Sequence, residues 1–179
     1  AAIPQTSQTN AMSRIDEILR EHELIDRAVK LKESIRLAST AANNISWNIP
    51  PERRSGDVAR GLARRLREAA DDLEYVENIL MFFDDMNADR SDVEPLRERA
   101  KSTRTCLAYV VPCANRVRRD VNRGNDEFWA TARMVHAASM LKEETSRIYN
   151  EKEELVDGIL MLADEAEEQL DPPEEHSNE

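Results

Sequence analysis

Glycine and aromatic side chains are scarce: four glycines in 179 residues, with aromatics at 4%. So few glycines leave no phosphate-cradling loop, and so few aromatics disfavour a β-rich fold. Long apolar runs are absent as well. The longest are short, such as Ile79-Leu80-Met81-Phe82-Phe83, far below the ~20 residues that span a bilayer. Cysteine is limited to Cys106 and Cys113. On one helix these lie roughly 10 Å apart along the axis, beyond disulfide reach, so two free thiols and a reducing, cytoplasmic setting are expected. The start, Ala1 to Asn10, has neither an initiator Met nor an apolar signal core. It reads as a processed secretory start, an excised fragment or residues added ahead of Met12.

Chemistry-bearing constellations are also missing. The histidines are His22, His136 and His176, and the positions three residues before the first two are Leu19 and Arg133. The Glu-x-x-His pair of di-iron bundles is therefore absent, as are zinc spacings and a nucleophile elbow. Asp85, Asn87 and Asp89 match the start of an EF-hand loop, but Arg90 stands where Gly belongs and Leu96 where the bidentate Glu belongs. An ordinary acidic turn is expected. The chain is accordingly read as no enzyme, with no cofactor and no metal.

What is present is a seven-residue apolar rhythm. Val93, Leu96, Ala100, Thr103, Leu107, Val110, Ala114, Val117 and Val121 follow three-then-four spacing throughout. Leu62, Leu66, Ala69, Leu73, Val76, Leu80 and Phe83 form a second seam. Spacing of 3.5 keeps one face of a helix against a partner, as in a coiled coil. The first helix, about 12–45, changes register midway. Ile15, Ile18, His22, Ile25 and Val29 serve one half; Leu24, Ala28, Leu31, Ile35, Ala38, Ala42 and Ile45 serve the other.

The expected fold is all-α: an elongated up-down-up-down antiparallel four-helix bundle with a long C-terminal helix. Residues 1–11 read as a flexible segment, 12–170 as the bundle and 171–179 as an acidic disordered tail. Helix two covers about 57–86, with a capping box at Ser91 and Glu94 opening helix three. Helix three runs to about Arg123, kinked by Pro112, whose ring crowds the Ala108 carbonyl. A turn at Gly124-Asn125 leads to helix four, about 126–170, with Gly158 as a candidate bend. Trp47, Phe128 and Trp129 then fall at one end, placed to cap the core.

Arg64-Arg65-Leu66-Arg67 resembles the Arg-x-Leu-Arg motif of secreted, host-translocated effectors. There it lies in a disordered leader; here Leu66 sits on a helical seam, which assigns the stretch to packing.

Two surfaces are candidates for function. Helix four is about 13 residues longer than its neighbours, which leaves an apolar surplus beyond about residue 157. With the end of helix two it offers a partner-binding patch of Met81, Phe82, Phe83, Met86, Ile159, Leu160, Met161 and Leu162. A non-enzymatic adaptor or structural module is expected, binding a helical protein partner or itself as a homodimer. The alternative is an anion-binding module for phosphate, anionic lipid or nucleic acid, using Arg53, Arg54, Arg60, Arg64, Arg116, Arg119 and Arg123. The net charge of −11 argues against general nucleic-acid binding. Elsewhere the arginines of helix three, Arg97, Arg104 and Arg118 above all, are expected to pair with the acidic half of helix four.

Overall fold

A computed structural model describes the backbone of residues 5–170 and the side chains of 20–170. Among these residues the chain is all helical, without strands. Helix α1 is Gln5–Asn48 and α2 is Ser55–Asp84. A single 3-10 turn, Arg90–Asp92, leads into α3, Val93–Leu107, which α4, Val110–Asp126, continues after a break. Helix α5 is Ala132–Gln169. Residues 5–11, expected to be flexible, belong to α1; residues 1–4 and the acidic tail 171–179 lie outside the described residues.

The heptad seams form the core. Every position of the seam from Val93 to Val121 is buried, as are Leu62, Leu66, Ala69, Leu73, Val76 and Leu80 of α2. On α1 the second register is the core one, from Leu24 to Ile45. Of the first register, Ile25 is half-buried against the core, His22 and Val29 are exposed, and Ile15 and Ile18 have no described side chains. A face that also carries Glu21, Asp26 and Lys30 draws water, and Asp84 of α2 holds the His22 ring at 3.1 Å.

Helix α1 packs on α2 and α5, and α3 and α4 pack on the same two helices. Ion pairs order these contacts. Along α1, His22, Lys32 and Arg36 meet Asp84, Glu77 and Glu74 of α2, so partner numbers fall as α1 rises. Arg20 and Arg27 meet Glu165 and Glu154 of α5. Arg97 reaches Asp164 and Glu167, while Arg104 reaches Glu153 and Asp157, again in descending order. Two of the three expected cross-helix arginines therefore pair; Arg118 instead bonds Asn115 on its own helix.

Pro112 breaks the rod one turn upstream of itself. Its ring leaves no N–H for the Ala108 carbonyl, and Ala108 bonds Thr105 in a tighter 3-10 step. Lys152 Nζ of α5 approaches the Leu107 carbonyl at 3.4 Å, partly satisfying the interrupted helix end.

Three expected boundaries are corrected. The turn sits at residues 127–131, where Thr131 caps α5 by accepting from the Met134 amide at 3.2 Å. Gly124 is a buried residue of the last turn of α4, and it is glycine for space. A Cβ there would lie 2.5 Å from the Trp129 ring. Ahead of α3 the capping box is made by Asp89 and Asp92: Asp89 accepts from the Ser91 amide at 2.8 Å, and its own amide donates to Asp92 at 2.9 Å. Glu94, expected in that role, takes Arg97 instead.

Candidate functional site

The apolar surplus of the C-terminal helix is covered. Because α5 starts at Ala132, residues past 157 have helices beside them: Arg20 and Leu24 of α1 and Arg97 of α3 lie against them. Ile159 is a core residue, 0% exposed, and Leu162, 7% exposed, shows only an edge at the surface. Gly158 lies under α1, where a Cβ would come within 2.8 Å of Leu24 Cδ2. Arg97 clamps the end of α5 through Glu167 and Asp164 and also bonds Glu94 on its own helix; these hydrogen bonds, Glu167's first, push its pKa above the usual arginine range.

What stays open is the end of α2 and the turn after it. Met81, Phe82 and Met86 are 43%, 48% and 69% exposed, and Met161 of α5 is 57% exposed. Phe83 and Leu160 are half-buried against the core. Phe83 and Met86 form one wall of a groove of about 350 Å³, and Leu162, Ala166 and Leu170 form another. Glu21, His22, Asp84 and Glu165 rim it. Of the eight residues named from the sequence, Phe83, Met86 and Leu162 line this groove, Met81, Phe82 and Met161 are exposed outside its lining, Leu160 is half-buried and Ile159 is in the core.

The opposite end is basic. Arg53, Arg54, Arg116, Arg119 and Arg123 surround one groove of about 340 Å³ with Ser55 and Asp120. Arg60 pairs with Asp57 on the exposed face of α2, and Arg64 lies further along that helix, outside the groove. Arg53 forms the fixed wall. It bonds Asp120 at 3.3 Å and Glu127 at 2.9 Å and stacks 4.3 Å over the Trp129 ring. Ser55 donates to the other oxygen of Asp120. Arg54, Arg116, Arg119 and Arg123 are exposed and have no partner among the described residues.

The aromatic cap expected at this end is corrected. Only Trp129 packs inward; Trp47 is 81% exposed and Phe128 is 94% exposed. Phe128 adopts φ 64, a left-handed conformation that a bulky residue takes only under constraint. The constraint is the helix ending, in which the Trp129 and Ala130 amides both bond the Gly124 carbonyl.

Reactive chemistry is thin. Cys106 and Cys113 are free, and burial together with Asp72 and Glu68 pushes the Cys106 thiol pKa up, away from the nucleophilic thiolate. Among the described residues no His, Cys, Asp and Glu cluster could hold a metal ion. No helix among the described residues is long and apolar enough to cross a membrane. Searches of family models, curated proteins and solved structures found no match to this chain.

Proposed function

We propose that this chain is a non-enzymatic protein-interaction module, an adaptor or structural element that docks an apolar helical surface at the α2 end. Its helices form an elongated up-down-up-down antiparallel bundle, with α3 and α4 counted as one broken rod. The descending order of partners across α1–α2 and α3–α5 supports that arrangement. Two free thiols fit a reducing, cytoplasmic setting.

The observation behind the docking reading is that three large apolar side chains, Met81, Phe82 and Met86, stand in water beside an apolar groove. Exposed apolar area of this kind loses about 25 cal/mol for each Å² left uncovered. Methionine adapts to varied partner shapes. A second copy of the chain is the occupant tested first. Light scattering of the full chain over a concentration series should show a dimer that survives raised salt, as apolar association does. Met86→Glu and Phe82→Glu, both at exposed positions, should give monomers. A monomer at every concentration for the unaltered chain would refute self-association. Truncation at Asp157 is no substitute, because it strips Ile159, Leu162, Ala163 and Ala166 from the core.

A further inference from the structure

From the arrangement of charge and exposed rings at the other end, we infer that the end built from the 49–54 and 127–131 connections docks on an anionic phospholipid surface. The unpaired arginines take the headgroup phosphates, and Trp47 and Phe128 enter the interfacial layer.

The charge arrangement is the first reason. The chain has 36 acidic residues against 25 basic ones, so carboxylate partners are plentiful. Arg20, Arg27, Arg36, Arg97, Arg99, Arg104 and Arg147 all find one. Arg64, Arg67, Arg90 and Arg133 have no carboxylate partner among the described residues either, but none of them lines the basic groove, whereas Arg54, Arg116, Arg119 and Arg123 converge on it unpaired. Three of them lie three and four residues apart on α4, a stripe of like charge that an external anion relieves. The groove's own acid, Asp120, is already taken by Arg53 and Ser55. Glu52 and Asp126 are the unpaired acids nearby, and they leave the balance positive. The first residue of α2, Ser55, also lines the groove, so the positive end of that helix dipole adds to the field.

The overall charge of −11 does not cancel this. Glu151 and the acids after it on α5 lie about 28 Å or more along the axis from Ala132, at ~1.5 Å per residue. Physiological salt screens charges beyond about 8 Å.

The rings are the second reason. A soluble phosphate has no use for Trp47, in the last turn of α1, and Phe128, within the 127–131 connection, which the fold leaves 81% and 94% exposed. Trp and Phe belong in the layer between headgroups and acyl chains, and a basic patch beside them supplies the second attachment that stable anchoring needs. Helix α2 separates this end from the apolar groove by about 45 Å. The two surfaces are therefore independent.

The test is co-sedimentation of the full chain with phosphatidylcholine vesicles, with and without about one third phosphatidylserine. Binding is expected only to the anionic vesicles, with a blue shift of Trp47 emission and loss of binding in high salt. Arg116→Ala with Arg119→Ala should weaken binding about fivefold per arginine. Phe128→Gly removes the ring and relieves the φ 64 strain, so it should lower vesicle binding while the thermal midpoint holds or rises. Met86→Glu should leave vesicle binding unchanged, which separates this inference from the docking reading. Equal binding to neutral vesicles, or none to anionic ones, would overturn it. So would soluble inositol phosphates or oligonucleotides binding as tightly as vesicles, with Phe128→Gly making no difference.

Discussion

Replacing Gly124 by Ala sets two effects of known size against each other. In a helix interior the change should stabilise by about 1 kcal/mol through propensity. Against that, the new Cβ would lie 2.5 Å from two carbons of the Trp129 ring and 2.7 Å from a third. A rigid indole cannot give by bending, so it must swing out. Expulsion would lose roughly 100 Å² of apolar burial, or about 2.5 kcal/mol at ~25 cal/mol per Å². It also breaks the Arg53 stack at 4.3 Å, worth about 0.5–1 kcal/mol. The Trp129 Nε1 bond to Glu127 at 3.1 Å goes with it. The balance is a destabilisation of about 2 kcal/mol, or roughly 4–8 °C in a chain of this size. Gly158→Ala is the control, since its Cβ meets only the flexible end of Leu24 and should cost little or nothing. Thermal unfolding by circular dichroism reads the stability, and emission in a Trp47→Phe background reports Trp129 alone. A Gly124→Ala chain as stable as its parent, with unchanged Trp129 emission, would refute the close approach.

Two further outcomes follow from buried and capping carboxylates. Glu144 is 5% exposed, bonds Arg147 through one oxygen and leaves the other buried without a partner. Glu144→Leu should therefore stabilise by about 1 kcal/mol, seen as a higher urea midpoint; a lower midpoint would mean the carboxylate is satisfied after all. Asp89 is held below the usual carboxylate range by hydrogen bonds from the Ser91 hydroxyl and amide. Its native pKa is lower than its unfolded one, so its contribution is full above the unfolded value and disappears as pH falls through the native one. Carboxyl titration by NMR should place Asp89 below the ordinary aspartate range, and Asp89→Ala should flatten the acid limb of stability at that turn.

The periodic part of the fold was legible because burial along α2 and the α3–α4 rod follows the seam residue by residue. Pro112 also announced its break, since the missing N–H and the crowded Ala108 carbonyl act at a fixed offset. Residues with more than one physical use were misread. Gly124 looked like a turn former, but it makes room for Trp129 five residues on, whose ring folds back over it once α4 ends between them. His22 fell on an apolar period yet sits in water because Asp84 lies across from it. Ile159 and Leu162 looked unpartnered only because the start of α5 was placed at Asp126 and not Ala132. The basic end was legible in part. Five of its seven named arginines share the groove, whereas Arg60 and Arg64 are carried along α2 and away from it. The exposure of Trp47 and Phe128 had no signal in the pattern, since an aromatic at a helix end suits a core cap equally well.

Hydrogen exchange of the full chain at low and high concentration tests the docking account most directly. Slowing with concentration, confined to the last turns of α2, the turn through Met86 and the end of α5, is the predicted result. Exchange that is independent of concentration, or slowing centred on Trp47 and Phe128 instead, would contradict it.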